Sequence, residues 1–373
     1  MVDFKSFMPV EIIFGRDCVL NNKDKFKGYR KIFIVTGKSS AKSSGALNDI
    51  QNIVNDTKAE FYIFDKVQEN PLLSVCYEGG KAAYDFGADL IVGIGGGSPL
   101  DASKAIAMFA ANPDMNPDDL FNPPYKNQPL PIFAIPTTSG TGSEANPYSI
   151  LTLDGQDVKK TFNYIKSYPQ TAFLDPKYTS SMPYNVTVST ALDALCHCIE
   201  SYLSVKSTPF SAIYANSGIK YIYHNLEKLI DLKDKSAIES KIDYNIREEL
   251  MIGSLCGGVA INTTGTCFPH PLGYNLTLIN GLPHGKACAV FIGEFLDMHE
   301  NFISDEMRDA FKIPIAKVKE TIKILTDYHE KFDDETLKFY VSKVKTAKNF
   351  TNSFKKVLTD EEMFTIYKKC AGK

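Results

Sequence analysis

The sequence predicts an α/β N-terminal domain built on a parallel sheet, over residues 1–182, followed by an all-α C-terminal domain over residues 183–373. Three observations carry that expectation. Short β-rich runs alternate with helical stretches from Tyr29 to about Asp175, the pattern of right-handed crossovers between parallel strands. After Pro183 the strand signals stop and long amphipathic patterns replace them, at 188–203, 246–261 and 335–344. At 373 residues the chain exceeds one ordinary core, and its 44% hydrophobic content can fill two.

The β runs are 31–36, 60–64, 89–94, 131–135 and 171–174. Three of them end in Gly- or Thr-rich turns, at Gly37, Gly95 and Thr137. Ligands of open α/β sheets bind beyond those carboxyl ends, so this half is the expected nucleotide holder. The boundary falls near Met182, and the polar stretches 231–241 and 302–308 are expected as exposed connections.

The run from Asp89 to Ile94 leads directly into Gly95-Gly-Gly-Ser98-Pro-Leu-Asp101-Ala-Ser-Lys104, a buried strand, a glycine turn and a helix start. Ser98 suits an N-cap, Pro99 the first helical position, and Asp101 the carboxylate of a capping box. Glycines let the backbone approach a phosphate, and the free amides of the following helix favour that anion. Pro136-Thr-Thr-Ser-Gly-Thr-Gly-Ser-Glu144 adds hydroxyls and glycines after another apolar strand, where they can bond phosphate, ribose or nicotinamide.

After the first strand comes Gly37-Lys38-Ser39-Ser40-Ala-Lys42, without the carboxylate that NAD sites place there for the ribose 2′-hydroxyl. Gly37 leaves space, Ser39 and Ser40 offer donors, and Lys38 or Lys42 offers charge. NADP is therefore expected ahead of NAD.

Asp193 and His197 are four residues apart in an apolar helical pattern, on one face of it. Either they pair with each other or both grip a metal. Of the six histidines, His270 and His284 fall in short Gly- and Pro-flanked stretches, while His224, His299 and His329 have polar neighbours and are expected to be exposed. One carboxylate with three imidazoles is a mixed set suited to Fe2+ or Zn2+.

The formal charge of -3 is spread along the chain without a basic block, which argues against nucleic acid or an anionic membrane as partner and for small molecules. No apolar run reaches bilayer length, and Asp3, Lys5 and Pro9 interrupt any signal-peptide core, so the cytoplasm is the expected location. The eight cysteines have no framework spacing and read as reduced thiols, and Cys196-His-Cys198 is too short for a zinc knuckle.

Gly95–Lys104, Pro136–Glu144, Asp193-Ala-Leu-Cys-His197, and His270-Pro-Leu-Gly273 followed by Pro283-His-Gly285 occur in that order. Together they resemble the iron-containing (group III) alcohol dehydrogenase family, of dehydroquinate synthase-like fold, from Ile12 to about Phe291. The resemblance implies metal ligands at Asp193, His197, His270 and His284. It implies dinucleotide contacts at Asn70, Gly97, Ser98, Asp101, Thr138, Asn146 and Lys159, and a homodimer or larger assembly. One departure stands out: many relatives carry a further histidine four residues after the third ligand, where this chain has Tyr274. A register with Thr266 as ligand and His270 as that extra histidine is disfavoured, because threonine is a poor ligand. Tyr274 is then the candidate in any proton relay.

The implied activity is hydride transfer between NADP(H) and a small primary alcohol or aldehyde such as butanol or butanal. The alternatives are a glycerol or diol dehydrogenase using NAD, and a lyase like dehydroquinate synthase. The lyase needs cations beside the metal for a polyanionic substrate, and the ligand segments here are flanked by Ala191, Leu195, Phe268, Leu272 and Leu282.

Overall fold

The computed structural model describes residues 3–156, 158–233, 242–353 and 358–373. As far as they are described, two compact units form: Phe7–Thr138 with Gly142–Met182, and Met1–Ser6 with Ser139–Thr141 and Pro183–Lys373.

The first unit contains β1 (Glu11–Phe14), β2 (Lys31–Thr36), β3 (Glu60–Phe64), β4 (Leu90–Gly95), β5 (Ile132–Pro136), β6 (Tyr148–Leu153), β7 (Val158–Asn163) and β8 (Thr171–Leu174). Six of them form one sheet in the order β1-β8-β5-β4-β2-β3, with every pairing parallel. Residues alternate faces along β2. Phe33 and Val35 join Ile91, Ile132 and the helices Leu73–Phe86 and Gly97–Ala111, while Ile32 and Ile34 join Val92, Ile94 and the helix Ala46–Thr57. Burial on both faces is why these strands read as near-continuous apolar runs.

The chain moves outward from β2 to β3 and returns past β2 to β4, so the winding reverses between β2 and β4. That reversal is a topological switch point, where open α/β sheets bind ligands. The turns beginning at Gly37 and Gly95 lie there, with Thr36 opposite Ile94.

Two strand features go beyond the sequence reading. β1 adds an edge strand beside β8, and β6 and β7 form a separate antiparallel pair. Asp154 and Gly155, the latter at φ 69°, stand in the β6–β7 connection.

The second unit is helical among its described residues. Its longer helices are Tyr184–Leu203, Pro209–Lys233, Tyr244–Thr264, Pro269–Leu278 and His284–Met298, followed by shorter ones ending with Asp360–Ala371. One core unites Leu192, Leu195, Ile199, Ile222, Phe268, Leu272, Phe291 and Phe295.

Two expectations are corrected here. The stretch 302–308 is no simple connection, because Ser304 caps the helix Asp305–Phe311 by accepting a hydrogen bond from the Met307 amide, and Met307, Ala310 and Phe311 are buried. Within 231–241, residues 231–233 complete the helix Pro209–Lys233 and the rest lie outside the described residues. His299 is buried, not exposed: its ring nitrogens lie 2.8 and 3.0 Å from the carbonyl oxygens of Phe295 and Ser353. His224 and His329 are exposed. Among the described residues no helix is long and apolar enough to cross a membrane, and all eight cysteines are free.

Candidate metal centre and nucleotide-binding loops

Four helices converge on Asp193, and glycines make the approach possible. A Cβ on Gly285 would lie 1.8 Å from the Ser189 carbonyl oxygen and 2.8 Å from Asp193 Cβ. One on Gly257 would lie 3.2 Å from the Ala194 oxygen, and one on Gly273 would lie 3.0 Å from the Ala287 oxygen. Any larger residue at position 285 therefore forces His284–Met298 away from Tyr184–Leu203.

Asp193 Oδ1 lies 3.9 Å from His197 Nε2, 3.6 Å from His270 Nε2 and 3.9 Å from His284 Nε2. The other nitrogen of each ring is engaged. His270 Nδ1 donates to Glu200 Oε1 at 2.7 Å, His197 Nδ1 donates to the Gly140 oxygen at 3.3 Å, and the Thr277 hydroxyl lies 3.4 Å from His284 Nδ1. The acceptors Glu200 and Gly140 place a proton on Nδ1 of His270 and His197, which turns Nε2 of both rings toward Asp193 as the ligand nitrogen, while Thr277 orients the His284 ring. Glu200 is itself held, because its Oε2 accepts from the Cys267 amide at 2.6 Å.

The arrangement fits a divalent ion. Asp193 Oδ1 and His270 Nε2 are buried with no hydrogen-bond partner, an expensive condition that a metal relieves. Tetrahedral ligands at about 2.0–2.2 Å from a metal stand roughly 3.3–3.6 Å apart, and a small contraction brings the observed 3.6–3.9 Å to that spacing. Burial opposes charge on Asp193, but His197 and His270 beside it hold its carboxyl well below the usual carboxylate range. Burial pulls the His197 imidazole down, an effect Asp193 offsets only in part. An ionised carboxylate beside a neutral imidazole is the state a ligand pair needs.

Sequence reasoning missed two residues. Glu200 stands seven residues after Asp193, on the face that Asp193 and His197 share, and this spacing was the available signal. Cys288 stands four residues after His284 and joins Asp193, His270 and His284 in a group whose donor atoms all lie within 4.8 Å of one another. Glu200→Gln keeps the shape but removes the charge that raises the basicity of His270, so metal affinity is expected to fall by about 10–100-fold, measured by competition with a chromogenic chelator.

The glycine turn differs in detail from the expected one. Gly95 adopts φ 152°, Gly96 stands at the N-cap, and the helix Gly97–Ala111 starts before Ser98 without a side-chain cap. Ser98 is thus inside the first turn, and the expected capping box is absent. The glycines release the chain into the helix early, which leaves the first amides free for an anion. Asp101 turns instead toward the β6–β7 pair, where Oδ2 accepts from the Ile150 amide at 2.8 Å and Oδ1 accepts from the Ser143 hydroxyl.

Lys104, fully buried, ties this region together. Its Nζ donates to Ser143 Oγ at 2.7 Å and to the Tyr148 oxygen at 2.6 Å, with Asn146 Oδ1 at 3.4 Å and Asp101 Oδ1 at 3.8 Å. Thr138 covers the glycine turn, since a Cβ on Gly96 would lie 3.2 Å from its side chain. Asn70 takes φ 55° before Pro71, whose oxygen accepts from the Thr152 amide at 2.9 Å, and Thr152 pairs with Lys159. Gly37 and Ser40 are half-buried, and Lys38 and Ser39 are exposed, after β2. The expected nucleotide residues stand beyond the carboxyl ends of β2 (37–40), β3 (Asn70), β4 (97–98 and Asp101) and β5 (Thr138 and Asn146), with Lys159 on β7.

The chain matches two family models, "Iron-containing alcohol dehydrogenase" over residues 9–176 and "Fe-containing alcohol dehydrogenase family, C-terminal" over residues 187–369. Alcohol dehydrogenase 4 of Saccharomyces cerevisiae is 32% identical over 77% of this chain and 73% of its own length. Lactaldehyde reductase of Escherichia coli is 29% identical over 82% and 78% respectively. An iron-containing alcohol dehydrogenase of Thermotoga maritima, known from its crystal structure, superposes with a TM-score of 0.88 at 33% identity over 99% of both chains. With matched models over both halves and donors that fit a metal, the chain belongs to the iron-containing alcohol dehydrogenase family, oxidoreductases whose membership implies a nucleotide cofactor and iron.

Proposed function

We propose that the protein transfers a hydride between NADP(H) and a small primary alcohol or aldehyde of about the size of butanol, with a divalent ion at Asp193, His197, His270 and His284. The observation that carries this reading is one carboxylate oxygen within 3.9 Å of three Nε2 atoms, each ring anchored by its other nitrogen. Fe2+, or Zn2+ in its place, would supply Lewis acidity toward a substrate hydroxyl or carbonyl there, and a bound nicotinamide would supply the hydride donor or acceptor.

The chain's own residues do the rest. Glu200 orients His270, and Asp193 offsets the charge of the ion. Tyr274 stacks on His284 with ring centroids 5.9 Å apart, and burial pushes its phenol up to about 12, so it keeps its proton at neutral pH. We assign it the role of donor to the substrate oxygen.

For the nucleotide, the free amides at Gly97 and Ser98 would hold the pyrophosphate, and Asp101, Thr138, Asn146, Asn70 and Lys159 would supply the remaining dinucleotide contacts. Gly37, Lys38, Ser39 and Ser40 receive the 2′-phosphate. The stretch 37–42 holds no carboxylate, and a relative from Clostridium saccharobutylicum, 27% identical, is an NADPH-dependent butanol dehydrogenase. A second reading, an NAD-linked enzyme acting on a diol or hydroxyaldehyde, draws support from the likeness to lactaldehyde reductase.

Oxidation of NADPH by the iron-loaded protein across short aldehydes tests the proposal, and absence of aldehyde-dependent turnover with either nucleotide overturns it. Ser39→Asp sets a carboxylate at an exposed position beside the expected 2′-phosphate, so the ratio of kcat/KM for NADPH over NADH is expected to drop by about 10–100-fold.

A further inference from the structure

Cys288 is a fully buried thiol one helical turn after His284. Its Sγ is 3.8 Å from His284 Nε2 and 3.9 Å from Nδ1. One donor atom each from Asp193, His270, His284 and Cys288 falls within 4.8 Å of all the others, and among the described residues no other cysteine joins such a group. His197 stands outside this group, although its ring stacks on His270 with centroids 4.8 Å apart.

The backbone imposes this placement. Gly273 brings the His270 helix against Ala287 and the Cys288 amide, where an added Cβ would lie 3.0 Å from both, and Gly285 seats the helix that carries Cys288 on Asp193. A buried cysteine usually acts as a small apolar residue. Here its surroundings include two buried atoms without hydrogen-bond partners, Asp193 Oδ1 and His270 Nε2, on residues each 3% exposed.

Resting on the metal-centre reading above, we propose that Cys288 is a further donor to the same ion, placing a thiolate beside Asp193, His270 and His284 and biasing the site toward Zn2+ and Co2+ over Fe2+. Binding forms one metal–sulfur bond and releases the thiol proton to solvent, and no electrons move. Thiolate is the softest donor in the set, which is what shifts the preference.

Anaerobic exchange of the bound metal for Co2+ is the test. The wild-type protein is expected to show a sulfur-to-cobalt charge-transfer band in the near ultraviolet. Cys288→Ser should lose that band while keeping the visible ligand-field bands, with Zn2+ affinity lowered by about 10–100-fold and Fe2+ affinity changed by less than about threefold. Bound cobalt without the charge-transfer band, or a band that survives in Cys288→Ser, overturns the cysteine proposal and leaves the metal centre standing. A wild-type protein that takes up no cobalt overturns both. Should the serine variant fail to fold, the wild-type spectrum alone decides.

Discussion

His270→Ala is expected to abolish retention of a stoichiometric divalent ion and to lower kcat/KM for aldehyde reduction by at least ~10³-fold. His270 lies nearest to Asp193 Oδ1, at 3.6 Å, and is the ring tied to a carboxylate, at 2.7 Å from Glu200. A Lewis acid contributes several kcal/mol to the transition state, and each 1.36 kcal/mol is a factor of about ten in rate. The variant also leaves Glu200, buried, without its imidazole partner, which costs about 1–3 kcal/mol of stability.

These two effects can be separated on the wild-type protein. Chelation removes the ion without disturbing the contact between Glu200 and His270. Activity should then vanish reversibly and return with added Fe2+, and saturation at about 100 times Kd should raise stability by about 2.7 kcal/mol. A variant that retained one ion per chain and a rate within about tenfold of wild type would remove His270 from the centre.

The parallel strands were legible because burial on both faces writes itself as unbroken apolar runs, as in Ile32–Val35 and Leu90–Ile94. The β6–β7 pair was not, because Lys159 and Lys160 interrupt the apolar signal, although Asp154-Gly155 marks a tight turn between two alternating segments. Local rules also assigned Ser98 and Asp101 to a cap. The actual partners of Asp101 are Ser143 and Ile150, more than forty positions away, so the tertiary contact overrode the local one. At the candidate metal centre, the four side chains that come together around Asp193 could be named in the sequence, Asp193 and His197 by their helical spacing and His270 and His284 by their Gly- and Pro-flanked stretches, whereas Glu200 and Cys288 come beside them through helix crossings that Gly257, Gly273 and Gly285 permit. His299 misled for the opposite reason: its polar sequence neighbours point outward, while its ring is buried against carbonyls from its own helix and from Ser353.

Glu144 gives the second large effect, and it is a pH effect. It is 3% exposed in the short turn Ser143–Ala145, and burial pushes its carboxyl up to about 7 from an ordinary 4.5, against the pull of its own backbone amide and of Lys104. Between these two values the native protein holds a proton that the unfolded chain has released. The unfolded state therefore binds fewer protons, and stability falls as pH rises through the window. Below about pH 4.5 both states are protonated and the slope vanishes. Above about pH 7 the native state carries the full cost of a buried carboxylate, ~3 kcal/mol. Lys104 does not blur this window, since burial brings it down only to about 8 and it stays charged throughout. Glu144→Gln carries no such proton. The stability of wild type relative to this variant, from urea unfolding at pH 5 and pH 7, should fall by about 2 kcal/mol between the two conditions. Parallel stability curves for the two proteins would mean that Glu144 is ionised across the range and that Lys104 neutralises it more fully than its burial suggests.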